Sequence, residues 1–310
     1  MTDVEIIEVG PRDGLQNQDA ILSTQDKLFL IERLYTAGAR RIEVASFVNP
    51  RLVPQMADAE AVFCGLRRRP DLVTIGLVLN EHGLSRALRT PVDEIGVVAV
   101  STDGFGIRNQ KQSSAQSVEM ARSVIAQAKH AQLRAQATIA VAFGCPFDGE
   151  VSAQQVAAIA RQIAVAGPHE IALADTIGVA VPAQVKNVIA AVRSAVPGMP
   201  LRCHFHNTRN MGIANAWAAL ESGVSRLDAS AGGIGGCPFA PAATGNIATE
   251  DLVYMLERSG IPSGYNLSAV CALAPWLADV LQLEKLPAMV SRTENFPRAE
   301  PSAVDTARQA

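Results

Sequence analysis

The segment His204-Phe205-His206 sets two imidazoles two residues apart. In an extended strand, residues i and i+2 face the same side, so both rings would converge while Phe205 packs the other way. Two convergent imidazoles suit a metal ion; two buried histidines satisfied by their neighbours would read the same. Arg12-Asp13 follows the first strand-like run, and Asn246 closes a Gly/Pro-rich stretch from Gly232. The candidate donor set is Asp13, His204, His206 and Asn246. Oxygen and imidazole donors without thiolate favour Mg2+ or Mn2+ over a structural zinc, although zinc is compatible with the same atoms. Cys203 alternates to the outer face, where a small thiol serves for packing.

Two acids stand where acids are costly. Glu43 interrupts the apolar run Ile42-Glu43-Val44-Ala45, and Asp175 ends Ile171-Ala172-Leu173-Ala174. A buried carboxylate needs a partner, and the candidates are Arg12 or the metal-binding side chains. Each could equally be half of a structural salt bridge. Cys237 follows Gly232-Gly233-Ile234-Gly235-Gly236. That backbone freedom can serve as a lid hinge, and a thiol on a mobile loop above a metal is a candidate proton donor. The bland alternative is a flexible loop whose cysteine has no role.

These residues need a scaffold that brings distant segments together. Short aliphatic runs predict strands at 4–9, 41–46, 74–80, 94–100, 135–143, 170–175, 201–206 and 226–231. Each is followed by helix-like spacing, for example Leu28, Ile31, Leu34 and Tyr35. Eight such pairs match an α/β fold of the (β/α)8 TIM-barrel type, with extra C-terminal helices after the eighth strand. A doubly wound open sheet is the competitor, but it calls for a Gly-rich phosphate turn after strand 1, where Pro11-Arg12-Asp13-Gly14 stands. In the barrel, the C-terminal ends of the strands make the active site, and Arg12, Glu43, Asp175 and His204 all fall at or near such ends. Thr249 reads as a helix N-cap, with Glu250 and Asp251 in the first turn. We expect one domain over residues 1–295 and a flexible tail over 296–310. The motif Gly-Cys-Pro-Phe occurs twice, at 144–147 and 236–239.

Composition narrows the class. The 310 residues are 48% hydrophobic and 18% charged, with net charge −3, which argues against nucleic acid or an anionic membrane as partner. Five cysteines, at 64, 145, 203, 237 and 271, include no CxxC pair and read as reduced thiols. The first residues lack a basic apolar leader, and no run of about 20 apolar residues suggests a membrane span. The expected location is the cytoplasm.

Together the motifs resemble the 3-hydroxy-3-methylglutaryl-CoA lyase family. They are Glu8-Val9-Gly10-Pro11-Arg12-Asp13-Gly14-Leu15-Gln16-Asn17, Ser46-Phe47-Val48, Val53-Pro54-Gln55-Met56, Gly144-Cys145-Pro146-Phe147, Asp175-Thr176-Ile177-Gly178, His204-Phe205-His206, Gly235 to Pro241, and Thr249 to Leu256. The resemblance runs in order from about residue 4 to residue 270. It implies Mg2+ or Mn2+ held by Asp13, His204, His206 and Asn246. It also implies Arg12 stabilising enolate charge, Cys237 transferring a proton, Glu43 and Asp175 as supporting acids, a homodimer, and an acyl-CoA substrate cleaved to acetyl-CoA and a 3-oxo acid. His204 is a candidate base, and Gln16 and Arg209 join Arg12 as candidate substrate contacts. The family motif places Asp-Thr-Tyr-Gly after the second histidine; here Asn207-Thr208-Arg209-Asn210 follows, which suggests a different acyl group. The rivals are condensing enzymes of the isopropylmalate or homocitrate synthase type, a metal-dependent aldolase acting on a free 4-hydroxy-2-oxo acid, and an inactive barrel that only binds a partner. The Gly-Gly-Cys-Pro loop argues against the first two, and the complete set of expected catalytic residues against the third.

Overall fold

In the computed structural model, which describes residues 3–236, 245–293 and 296, all eight strands are parallel and close into a barrel in sequence order. They are β1 (Glu5–Glu8), β2 (Arg41–Ser46), β3 (Val73–Val78), β4 (Glu94–Val100), β5 (Arg134–Ala140), β6 (Ile171–Asp175), β7 (Leu201–Phe205) and β8 (Arg226–Ala229). The helices between them are α1 (Thr24–Thr36), α2 (Ala59–Gly65), α3 (Glu81–Ala87), α4 (Asp103–Gln110), α5 (Ser114–His130), α6 (Ala153–Ala164), α7 (Pro182–Ala195) and α8 (Gly212–Glu221). After β8 come α9 (Thr249–Arg258), α10 (Leu267–Cys271) and α11 (Ala274–Val280). The open-sheet alternative is therefore excluded. The helices between strands bury an apolar stripe, as in α6, where Val156, Ile159, Ala160 and Ile163 are buried. No helix among the described residues is long and apolar enough to cross a membrane. Apart from Phe296, the expected tail lies outside the described residues.

The barrel interior departs from the usual layers of branched aliphatics. At the end holding the strand N-termini, Arg41 lies between Glu94 (2.5 Å) and Glu170 (2.9 Å), and Arg226 adds a second ion pair to Glu170 at 3.1 Å. Arg202 lies one tier up, 1% exposed, and takes a 2.9 Å contact from Nη2 to Gln136 Oε1. A small cluster of Ile7, Val9 and Ile75 is separate from the main core. Burying this much charge is tolerable because each carboxylate meets a guanidinium. Burial pushes the Glu170 carboxyl up, but Arg202, Arg41 and Arg226 outweigh it and hold it down at about 2.

Thr249 does not cap α9; Ala248 holds that place with no side-chain bond. The Thr249 hydroxyl instead donates to Glu8 Oε2 at 2.7 Å, because a fully buried carboxylate competes for it. The other oxygen of Glu8 accepts the N–H groups of Gly10 and Ala231 at 2.8 and 3.0 Å. Glu250, also buried, accepts the Gly232 N–H at 2.9 Å. Two acids thus tie the segment after β8 to the turn after β1 and to α9. Burial pushes the Glu8 carboxyl up to about 7 and that of Glu250 up to about 8.

Candidate active site

Immediately after β1, Gly10–Gly14 makes a single π-helical turn, a form often found at functional sites. The turn lifts Arg12 and Asp13 over the barrel mouth. Asp13 Oδ2 lies 4.0 Å from His204 Nε2 and 3.8 Å from His206 Nε2. His204 is the next-to-last residue of β7, on its inner face, and His206 follows the strand, bridged to Asn246. The two rings lie 5.0 Å apart, while Phe205 turns outward against Phe143. Strand alternation therefore works as expected from the sequence.

These three side chains fit a divalent cation. Two ligands each about 2.1 Å from an octahedral ion lie about 3.0 Å apart when cis and about 4.2 Å apart when trans; the observed 3.8 and 4.0 Å fall inside that range. Asn246 supplies the fourth candidate donor. Its amide nitrogen donates to Asp13 Oδ2 at 2.9 Å and to Ile234 O at 3.0 Å, while its buried Oδ1 has no hydrogen-bond partner. A buried acceptor without a donor is costly, and a cation would satisfy it. Among the described residues a second group, Glu94, His169 and Glu170, also brings three possible ligands together. There Arg41, Arg134 and Arg226 already neutralise both carboxylates.

Electrostatics at the mouth follow from these contacts. Burial pushes the Asp13 carboxyl up, but Arg12 and the two imidazoles outweigh it and hold it far below the usual carboxylate range. Burial lowers the basicity of His204, and the hydrogen bond to Asp228 with the charge of Asp13 more than restores it, for a net rise. Arg12 donates through Nε to Glu43 and through Nη1 to Asp13 Oδ1 at 2.6 Å, and its Nη2 has no protein hydrogen bond among the described residues. Glu43 sits where the β2–β3 register shifts, and such an irregularity re-aims a side chain. Asp175 is not paired with Arg12. Its two oxygens accept the Val179 and Ala180 N–H groups at 2.9 and 3.0 Å, so it shapes the turn after β6, and burial raises its pKa.

The cavity above β1 to β8 measures about 180 Å3. Arg12, Asp13, Gln16, Glu43, His204, His206 and Asp228 form its polar side; Val48, Leu77, Leu79, Val98 and Phe105 form an apolar wall. Arg209 is not among the lining residues: its Nη1 donates to the Ile177 and Gly178 carbonyls at 3.2 and 3.0 Å. Asn207 is likewise spent on structure, its Oδ1 accepting the Gly212 N–H at 3.0 Å. Neither difference from the family motif alters the charge of the cavity lining. Asp228, not among the residues expected from the sequence, lies with Oδ2 3.0 Å from His204 Nδ1. Its signal was the one that marked Glu43, an acid inside an apolar strand.

Cys237 lies outside the described residues. The glycines before it are not slack. Gly232, Gly233 and Gly235 have φ of 72°, 67° and 136°, which disfavours side chains. A Cβ on Gly235 would lie 2.5 Å from Asn246 Nδ2. Gly236 lines the cavity and accepts a hydrogen bond from Asn17 Nδ2 at 2.9 Å. The other Gly-Cys-Pro-Phe segment holds Cys145 buried, with its sulfur 3.0 Å from the Thr102 hydroxyl and 3.4 Å from the Phe147 and Asp148 N–H groups.

The family model for HMGL-like proteins matches residues 3–276. The chain is 43% identical over 303 residues to the (R)-citramalyl-CoA lyase of Chloroflexus aurantiacus, covering 94% of this chain and 95% of that one. It is 41% identical over 267 residues to the 3-hydroxy-3-isohexenylglutaryl-CoA/hydroxymethylglutaryl-CoA lyase of Pseudomonas aeruginosa, covering 86% and 89%. Among solved structures, the HMG-CoA lyase from Acinetobacter baumannii in complex with coenzyme A and 3-methylmalate superposes with a TM-score of 0.91 at 38% identity, over 96% of this chain and 97% of that one.

Proposed function

Because this chain belongs to the HMGL-like family of carbon–carbon lyases, we propose that it cleaves a 3-hydroxy-3-methylacyl-CoA by a divalent-cation-dependent retro-Claisen reaction. The substrate we assign is 3-hydroxy-3-methylglutaryl-CoA, with acetyl-CoA and acetoacetate as products. The observation that carries this reading is the group Asp13, His204 and His206 beside Arg12, on the floor of one cavity. Asp13, His204, His206 and the Asn246 oxygen would hold the cation, with Mg2+ or Mn2+ favoured by the donor set. When bound there, it would acidify the substrate hydroxyl and fix that hydroxyl beside an acyl oxygen. The hydroxyl proton would leave to a cation-linked group, because the lone pair of His204 Nε2 is committed to the cation and its Nδ1 to Asp228. The bond between the carbinol carbon and the carbon next to the thioester then breaks. Its electron pair becomes the thioester enolate, whose oxygen faces the free Nη2 of Arg12. Cys237 gives a proton to the enolate carbon. Gln16 contacts the acyl group from the cavity wall.

A second reading is (R)-citramalyl-CoA, favoured by the relative at 43% identity. It has the same tertiary hydroxyl and methyl group, with the carboxylate one methylene nearer, and the same bond would break to give acetyl-CoA and pyruvate. A carboxylate displaced by one methylene needs a different reach, so the two substrates separate by differential contacts in the transition state. The test is kcat/KM over a panel of acyl-CoAs with Mg2+ or Mn2+. A preference for 3-hydroxy-3-methylglutaryl-CoA upholds the assignment, a preference for citramalyl-CoA replaces it, and turnover of neither, with condensation of acetyl-CoA and a 2-oxo acid instead, overturns the lyase reading. We further propose that the enzyme acts as a cytoplasmic homodimer.

A further inference from the structure

Arg202 is among the largest fully buried side chains, 1% exposed, yet it contacts nothing in the cavity. It is two residues before His204 on β7, so it occupies the same inner face one tier deeper. Its Nε lies 3.3 Å from Asp228 Oδ1 and 3.5 Å from Glu170 Oε1, close charge pairs that do not meet hydrogen-bond geometry. Glu170 also serves Arg41 and Arg226, whereas among the described residues Arg202 is the guanidinium within ion-pair distance of Asp228, with Arg12 acting on it from farther away. The opposite oxygen of Asp228, Oδ2, meets His204 Nδ1 at 3.0 Å. With Nδ1–H donated to that carboxylate, His204 turns a bare Nε2 toward Asp13 and His206.

We propose that Arg202 is a positioning residue for the cation site, holding Asp228 by one oxygen so that the other fixes the orientation and tautomer of His204. This rests on the cation-dependent reading above. Stability alone does not account for the arginine, since buried ion pairs can often be replaced by apolar residues without loss. Its placement under Asp228 does account for it: carboxylates behind a metal-binding histidine typically change metal affinity 10- to 100-fold.

The experiment measures Mn2+ dissociation constants by electron paramagnetic resonance on the wild-type chain, Arg202→Met, Asp228→Asn and the double variant, with melting temperatures and 15N spectra of the His204 ring. We expect each single variant to weaken Mn2+ binding about 10- to 100-fold and the His204 ring to lose its single tautomer. The double variant should bind no more weakly than Asp228→Asn alone, because Arg202 acts through Asp228. Arg202→Lys, which keeps the cation, should recover part of the affinity, and it replaces Arg202→Met in the cycle if that variant does not fold. Wild-type Mn2+ affinity in folded Asp228→Asn, or losses that multiply in the double variant, overturn the positioning role. Absence of Mn2+ binding by the wild-type chain would instead remove the cation reading itself, and the positioning role with it.

Discussion

Replacing Arg12 by lysine keeps one positive charge but removes the fork. Arg12 uses Nε for Glu43 and Nη1 for Asp13 at 2.6 Å, which leaves Nη2 without a protein hydrogen bond among the described residues, on a side chain that lines the cavity. A lysine ammonium is one nitrogen on a flexible stem, and the carboxylates of Glu43 and Asp13 will draw it away from the substrate. The variant therefore loses one preorganised donor at the oxygen where charge develops. Such a loss costs about 2.7–4 kcal/mol, or about a hundred- to a thousandfold in kcat. The charge appears only in the transition state, so KM should stay within about threefold. Glu43→Gln keeps an acceptor for Nε without its charge and should fall between, at about tenfold in kcat. The assay is steady-state release of acetyl-CoA from the preferred acyl-CoA, with melting temperature as the check on folding. A folded Arg12→Lys enzyme with kcat within a factor of ten of wild type, or with its whole loss in KM, would show that Arg12 does not stabilise the enolate.

Exhaustive chelation should abolish turnover and Mg2+ or Mn2+ should restore it; full activity in protein shown free of metal by elemental analysis would count against the cation. Cys237→Ser should lose about two or more decades of kcat, the scale of a general acid, and melt within a few degrees of wild type. Cys145→Ser should behave oppositely, with a lowered melting temperature and near-normal kcat, because its buried sulfur contacts Thr102, Phe147 and Asp148; matching mild effects at both positions would move the proton donor elsewhere. Stability should fall as pH rises from about 4.5 to 8. Glu8 and Glu250 have folded pKa values raised to about 7 and about 8 from 4.5, so their contribution is complete below about 4.5 and is lost as pH rises through those values. The slope is at most about 1.4 kcal/mol per pH unit per group. Glu8→Gln should flatten the lower part of the profile, and a wild-type melting temperature that is constant or rising across this interval would contradict the buried-acid argument.

Periodicity by itself determined the eight strands, their alternation with helices, and the inward facing of His204 and His206, because two- and 3.6-residue repeats are local properties of the chain. The short motifs carried Arg12 and Asp13 for the same reason, since both lie on one turn. Tertiary structure alone decided the partners. Glu43 and Asp175 read alike as acids in apolar strands, yet Glu43 meets Arg12 while Asp175 accepts two backbone N–H groups. Thr249 read as a cap because Glu8, 241 residues away in sequence, is invisible to a local pattern. Arg209 and Asn207 looked like changes in the cavity, but each is bonded to nearby backbone. Asp228 and Arg202 gained meaning only when barrel closure set β8 beside β7 and stacked one tier under the other. Local sequence dictates which way a side chain points, whereas the group it meets across the barrel depends on closure, tilt and register, which no single segment contains.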